Sequence, residues 1–207
     1  MSVSEQQHWD KIYTKNAEYE VSWFQTYPKT SMQFVELFNL PLNANIIDIG
    51  GGDSHFVDVL LDEGYQNIWV LDISVKAIER AKQRLGERAS QVNWIVSDIT
   101  KFEPPVQFDF WHDRAAFHFL TTEDKIYKYV SIAEIAIKKD GYLILGTFSE
   151  NGPKKCSGLD IKQYSEASMS VRFEIAFNRI KCIQEEHTTP FNTVQNFLFC
   201  SFKKKYY

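Results

Sequence analysis

The 207 residues, 44% of them hydrophobic and 24% charged, suit one domain with a full core, and a second catalytic domain does not fit. A formal net charge of −4 argues against a broad nucleic-acid surface, which needs a basic patch to offset phosphates, so the run Lys203-Lys204-Lys205 reads as a solvated tail. No apolar run approaches the roughly 20 residues that span a bilayer, and the start Met1-Ser2-Val3-Ser4-Glu5 lacks a basic-then-apolar leader, so a cytoplasmic protein with no membrane partner is expected.

In chain order, Ser4 to Gln7 forms a Ser-x-x-Gln capping box that opens a helix with Trp9, Ile12 and Tyr13 on one face. A second helix is predicted from about Thr30 to Asn39, ending before Pro41 with Phe34, Leu37 and Phe38 inward. Between them, Glu20-Val21-Ser22-Trp23-Phe24 is too aromatic for a plain linker and could close over a ligand. Residues 1–40 thus read as a helical cap. Strand 45–49, helix 54–63, strand 67–72, helix 75–85, strand 92–97 and strand 107–112 then alternate, which predicts a parallel sheet with helices on both faces. A helix near Thr122 carries the stripe Ile126, Tyr129, Val130, Ala133, Ile137 ahead of a fifth strand, Tyr142 to Phe148. The stretch Gly152 to Gly158 reads as a surface loop, followed by a helix from about Ser165 to Met169. Two β runs, Phe177 to Thr188 and Thr193 to Phe202, then make a C-terminal hairpin over residues 176–203.

The chemistry concentrates in Ile46-Ile47-Asp48-Ile49-Gly50-Gly51-Gly52-Asp53-Ser54, a strand running into a glycine turn and then a helix that Asp53 or Ser54 could cap. Glycines let the backbone approach a nucleoside cofactor, and Asp72, about 20 residues on at the next strand end, can accept hydrogen bonds from a ribose diol. A dinucleotide fingerprint would want glycine where His55 stands, which weakens an NAD reading, and no Gly-Lys-Ser/Thr is present to cradle the phosphates of ATP or GTP. Cys156, Cys182 and Cys200 are odd in number, widely spaced and without a CxxC pair, so reduced thiols are expected and a zinc site is not; His112 and His118 are too isolated to argue for a metal.

These residues resemble the class I S-adenosylmethionine-dependent methyltransferases. Asp48, Gly50 and Gly52 match that family's Asp-x-Gly-x-Gly-x-Gly motif, with Gly51 between them and Ser54 in place of the last glycine. Val70-Leu71-Asp72-Ile73-Ser74 matches the second motif, whose acid binds the ribose hydroxyls. Val96-Ser97-Asp98-Ile99 matches the third, whose acid accepts from the adenine amino group while the next residue packs on the ring. Phe108 to Arg114 and Lys139 to Leu143 match the fourth motif and the turn before strand five, so the resemblance covers about residues 45–150. A closer likeness is to small single-domain members carrying Trp-His-Asp-Arg-Ala-x-Phe-His-Phe-Leu, here Trp111 to Leu120, with Ser22 to Gln25 and Gly152 to Leu159 as further shared segments. The resemblance implies one methyltransferase domain over 1–207, a Rossmann-like seven-stranded sheet ordered 3-2-1-4-5-7-6 with the last strand antiparallel, and a loop around Cys156 near the active face.

Methyl transfer from a sulfonium requires donor and acceptor in line and water excluded. His112, Asp113 and Arg114, at the end of strand four, are the candidate catalytic residues: His112 or Asp113 to orient or deprotonate the acceptor, Arg114 to pair with an acidic substrate group or with Asp113. A salt bridge between Asp113 and Arg114 and a core His112 is the structural alternative. Trp9, Tyr13 and Trp23 either hold the sulfonium against a ring face, worth about 0.5–2 kcal/mol, or simply pack the cap on the sheet. The expected reaction is methyl transfer to a small molecule. Protein (lysine) methylation and a non-catalytic cofactor-binding subunit are the rivals, to be told apart by an enclosed pocket, a shallow groove or no pocket.

Overall fold

The computed structural model describes residues 4–206; Met1 to Val3, read above for a leader, lie outside them. Helix α1 (Glu5–Lys15) opens at the expected box: Ser4 Oγ accepts from Gln7 N and Gln7 Oε1 accepts from Ser4 N, each at 3.2 Å. Helix α2 (Lys29–Phe38) closes at Asn39 in the left-handed region, φ 44°. Its inward face differs from the prediction, since Leu37 is 51% exposed while Ser31, Phe34 and Val35 are buried. The cause is Ser31, whose hydroxyl reaches a buried histidine under the sheet. Once Ser31 is fixed inward, Phe34, Val35 and Phe38 follow at helical spacing and Leu37 is turned out.

The chain then runs β1 (Asn45–Ile49), α3 (Phe56–Asp62), β2 (Asn67–Asp72), α4 (Val75–Leu85), β3 (Val92–Val96), β4 (Phe108–Arg114), α5 (Glu123–Ala136) and β5 (Ile137–Phe148). A two-residue-stranded hairpin, β6 (Lys155–Cys156) and β7 (Leu159–Asp160), precedes α6 (Glu166–Phe173), β8 (Phe177–Thr188) and β9 (Val194–Lys204). The seven-stranded sheet is ordered β3-β2-β1-β4-β5-β9-β8, with β9 antiparallel to β5. With the small hairpin set aside this is the expected 3-2-1-4-5-7-6. One face packs on α5 and α6 and the other on α2 and α3, each across a continuous apolar cluster.

Four boundaries move. Strand β4 continues two residues past the predicted end, so His112 and Asp113 sit inside it. Strand β5 starts straight from α5 and absorbs the turn at Asp140, φ 64°. Residues 152–158 fold into the β6–β7 hairpin, whose turn places Ser157 and Gly158 at φ 50° and 81°, both left-handed as a tight hairpin turn demands. Lys203 and Lys204 of the lysine run are the end of β9 rather than a tail, with Lys203 Nζ 3.1 Å from Asp140.

The cysteines also depart from expectation. Cys182 and Cys200 face each other across β8 and β9 and form a disulfide, leaving Cys156 as the free thiol. Separation along the chain concealed the pair, because a cross-strand partner is set by register and not by spacing. Alkylation of the denatured, unreduced chain should therefore label Cys156 alone, with two further labels after reduction. Three labels without reductant, read by intact mass, would return the pair to free thiols.

Candidate active site

The glycine turn follows β1, and its amides are anchored at once: Gly50 N and Gly51 N donate to Leu71 O at 2.7 and 3.2 Å. Gly50 and Gly52 lie at φ 64° and 49°, where a side chain is strained. A Cβ on Gly50 would meet Ala116 Cβ at 2.6 Å, one on Gly51 would meet Asp48 Oδ2 at 2.6 Å, and one on Gly52 would meet the Tyr13 hydroxyl at 2.8 Å. Ser54 Oγ accepts from Phe56 N at 3.1 Å and supports the start of α3, whereas Asp53 turns to Arg80 of α4 at 2.8 Å.

Beyond the turn a cleft of about 900 Å³, counting the space open to solvent at its mouth, lies at the carboxyl ends of the parallel strands, where strand order reverses between β1 and β4. Gly50, Asp72, Ile73, Ser97, Asp98 and Ile99 line one half. Trp9, Tyr13 and Trp23 of the cap roof it, with Trp9 packed edge-on to Trp23 at 6.0 Å and to Phe119 at 5.0 Å. Arg114, Ala115, Phe148, Cys156, Gln195 and Phe197 line the other half. These last residues, Arg114 apart, were not singled out as acceptor-side groups by sequence except for the loop near Cys156. Gln195 and Phe197 read there as ordinary strand residues.

The first half fits the nucleoside end of S-adenosylmethionine. Two acids stand at adjacent strand ends with apolar Ile73 and Ile99 beside them, and the glycine cradle is one that a Cβ would fill. Burial pushes the Asp72 carboxyl up to about 7; the charges of Asp53 and Asp48 push the same way and the amides of Ser74 and Gly52 pull it back. Asp98 Oδ1 is held by Thr100 N at 2.9 Å and Thr100 Oγ1 at 2.8 Å.

The three candidate catalytic residues part company. His112 does not line the cleft: Nδ1 donates to Asp48 Oδ1 at 2.7 Å and Nε2 meets Ser31 Oγ at 2.8 Å. Asp113 points to the opposite face, where Oδ1 accepts from Ala116 N and Phe117 N at 2.9 and 3.1 Å and Oδ2 accepts from Tyr129 Oη at 2.7 Å. Tyr129 Oη accepts in turn from Trp111 Nε1 at 2.9 Å. Burial raises the Asp113 carboxyl to about 6. Alternation along a buried strand explains the split, since neighbouring side chains leave on opposite faces. Arg114 alone reaches the cleft; Nη1 donates to Trp23 O at 2.9 Å, and no bond joins it to Asp113. His118 is a core residue, its Nδ1 accepting from Phe148 N at 3.3 Å, and burial lowers its pKa to about 3.

The cap is latched through backbone carbonyls and through side chains, Asp10 Oδ1 accepting from Ser74 Oγ at 2.7 Å and from Lys76 N at 3.2 Å. Arg80 Nη1 donates to Tyr13 O and Asn16 O at 3.0 and 2.9 Å, closing the C-terminus of α1, and Arg84 reaches Asp53 O, Ser54 O and Glu18. On the far side His187 Nε2 donates to Ser22 O at 2.7 Å.

A family model described as a methyltransferase domain matches residues 42–193. The chain belongs to that methyltransferase family. The sheet order above is the one the class I resemblance implies for such a domain. The eEF1A lysine and N-terminal methyltransferase of Mus musculus is 26% identical over 121 residues, 57% of this chain and 17% of its own length. Malonyl-[acyl-carrier protein] O-methyltransferase 2 of Ilyobacter polytropus is 28% identical over 108 residues, 52% of this chain and 40% of its own. The chain thus spans less than half the length of these curated relatives. Among solved structures, the N-methyltransferase NodS of Bradyrhizobium japonicum, in complex with S-adenosyl-L-homocysteine, superposes with a TM-score of 0.74 at 18% identity, covering 98% of this chain and 100% of that one. At that identity the likeness shows the fold.

The Trp111–Tyr129–Asp113 chain lies under the methyltransferase cleft without entering it. Tyr129→Phe would leave a buried indole N–H and a carboxylate oxygen unpaired, at about 1–3 kcal/mol for each group. The denaturant midpoint should fall accordingly while affinity for S-adenosylhomocysteine stays within twofold. An affinity loss with unchanged stability would place this chain in the cofactor site instead.

Proposed function

We propose that this chain transfers the methyl group of S-adenosylmethionine to a small-molecule acceptor. The observation that carries the reading is the aromatic lining of the cleft: Trp23 of the cap, Phe119 after β4, Phe148 of β5 and Phe197 of β9 flank a recess continuous with the nucleoside half, a shape that suits a small molecule better than an extended chain. In this reading Asp72 accepts from the ribose hydroxyls and Asp98 from the adenine amino group. Ile73 and Ile99 flank the base, the side-chain-free backbone of Gly50 to Gly52 lies along the amino-acid part, and Ser54 steadies the turn through α3. Asp48 supports the turn from below.

When bound, the cofactor supplies an electrophilic methyl group on a sulfonium. The chain positions it and excludes water. Trp9, Tyr13 and Trp23 cover the cleft, and an aromatic roof suits a cationic sulfur. His112 and Asp113 act in this reading as positioning residues rather than bases, because their polar atoms are engaged away from the cleft. Burial raises Tyr13 well above its usual range and lifts the Cys156 thiol to about 11, so neither is poised as a base. The acceptor atom then needs a lone pair already free at neutral pH.

Lysine methylation is the second reading, since relatives bearing that name match part of this chain. The guanidinium of Arg114 in the acceptor half weighs against it, because it repels an incoming ammonium. Neither nucleic acid nor a membrane enters the proposal, and among the described residues no helix is long and apolar enough to cross a bilayer. A cytoplasmic location stays part of the reading; the Cys182–Cys200 disulfide is the observation that weighs against it.

Calorimetric titration with S-adenosylmethionine and S-adenosylhomocysteine, with NAD as the control, tests the cofactor half. The pH dependence is specific. Asp72 accepts from a ribose diol as the carboxylate, and its folded pKa of about 7 lies above its ordinary value, so the binding form is depleted as pH falls. Affinity for S-adenosylhomocysteine should be level above pH 8 and weaken about tenfold per unit below pH 7. Asp72→Asn should abolish the slope. A flat profile between pH 5.5 and 8.5 would remove Asp72 from the ribose site.

A further inference from the structure

Strand order divides the cleft. The residues read as holding the nucleoside sit at the ends of β1, β2 and β3, whereas Arg114 leaves β4 towards β9, its guanidinium carbon 5.0 Å from the centroid of Phe197. The residue as a whole keeps partial exposure, but Nε and Nη2 are buried and have no hydrogen-bond partner among the described residues. These two nitrogens form the side edge of the guanidinium, a pair of parallel donors spaced for the two oxygens of a carboxylate. The third nitrogen, Nη1, is fixed on Trp23 O and holds the plane of the fork. Gln195 lines the same compartment, and its Oε1 also lacks a partner. Around them stand Phe148, Phe197 and Trp23.

No acid on the cleft wall answers this fork. The acidic residues that line the cleft are Glu5, Asp72 and Asp98, carried by the cap and by the ends of β2 and β3. Glu185 is the opposite charge that acts most on Arg114; it does not line the cleft, its Oε1 accepts from Gln25 at 3.2 Å, and its Oε2, also without a hydrogen-bond partner among the described residues, forms no ion pair with Arg114. A single guanidinium edge in an apolar compartment matches a monoanion better than a phosphate dianion, which calls for further cations.

We infer that the acceptor is a small carboxylic acid with an apolar body, its carboxylate clamped by Nε and Nη2 of Arg114 and its body held between Phe148, Phe197 and Trp23. The inference rests on the methyl-transfer reading for what happens next to that compartment; the clamp itself is a binding claim and is tested as one.

The probes are benzoate, phenylacetate and hexanoate, each paired with its neutral amide, plus phenethylamine, titrated by calorimetry into the full chain preloaded with S-adenosylhomocysteine at pH 8. At least one acid should bind ten or more times tighter than its amide, and phenethylamine should not bind. Arg114→Met, titrated with S-adenosylhomocysteine at a concentration that saturates the variant and so absorbs any loosening of the cap at Trp23 O, should erase that preference, and Arg114→Lys, which keeps the charge but not the fork, should recover only part of it. The acid–amide comparison on the unaltered protein needs no variant, so a poorly folding Arg114→Met would not blunt the test. Amides or phenethylamine binding as tightly as the acids, or no acid exceeding its amide, would overturn the inference. Acids that bind the free chain but are displaced by S-adenosylhomocysteine would overturn it too, by assigning the fork to the carboxylate of the cofactor. Failure of the unaltered protein to bind S-adenosylhomocysteine strikes the methyl-transfer reading instead, and the same acid–amide pairs titrated without it still report on the fork.

Discussion

A buried carboxylate sits where the sheet meets its glycine turn, and most of the architecture follows from how it is satisfied. Asp48, 3% exposed on β1, has His112 of the neighbouring β4 at 2.7 Å, and His112 in turn has Ser31 of α2 at 2.8 Å. Removing either partner would strand a polar group away from water, which is more costly than never having buried one. The three elements are therefore fixed to one another through a line of bonds that tolerates little sliding. Directly above lies Gly51, whose missing Cβ leaves the space that Asp48 Oδ2 and Val70 occupy. The position of the turn and the pairing of the carboxylate are thus one constraint, and it explains why a histidine at the end of the fourth motif faces inward and not into the cleft.

The cap is held in a different way. Of the described residues of α1, only Tyr13 is buried, so its apolar contribution to docking is small. Arg80 and Arg84 supply charged donors to the carbonyls at the end of α1 and to the glycine-turn segment, while Arg114 and His187 take the carbonyls of Trp23 and Ser22. Charge-assisted bonds to backbone give a definite closed geometry without a large dry interface. Helix α1 can separate from the sheet without disturbing either apolar cluster, whereas Trp23 and α2 are tied to the second one, and a loosely packed α1 is what a covering element needs where ligands must enter and leave.

Much of this was legible in the sequence, and the failures have physical causes. The glycine turn, the acids of β2 and β3 and the alternation of strand and helix are local signals, and each lies where its pattern placed it. The aromatic segment around Trp23 was also readable, because five residues so rich in apolar side chains seldom remain exposed in a linker. What escaped was set by facing direction and by register. His112, Asp113 and Arg114 are consecutive, so no single wall could take all three, yet which one enters the cleft depends on the exact end of β4. Gln195, Phe197 and the Cys182–Cys200 pair depend on how β8 and β9 slide past each other, a quantity no local pattern carries.

Arg114 joins these two layers of organisation. One guanidinium nitrogen holds the cap at Trp23 O, and the opposite edge faces the acceptor compartment with its donors open. A guanidinium is planar and rigid, so orienting one edge orients the other. On the carboxylate reading, an acid seated on Nε and Nη2 removes the freedom of Nη1 to leave Trp23 and so strengthens the latch. By reciprocity the closed cap raises affinity for the acid by the same factor. The energy of that coupling is bounded by one hydrogen bond to a charged donor, about 1.5–3 kcal/mol, which corresponds to roughly ten- to hundredfold in affinity. Charge thus does two tasks in the acceptor half: it selects an anion, and it ties the presence of that anion to exclusion of water from the methyl-bearing sulfur.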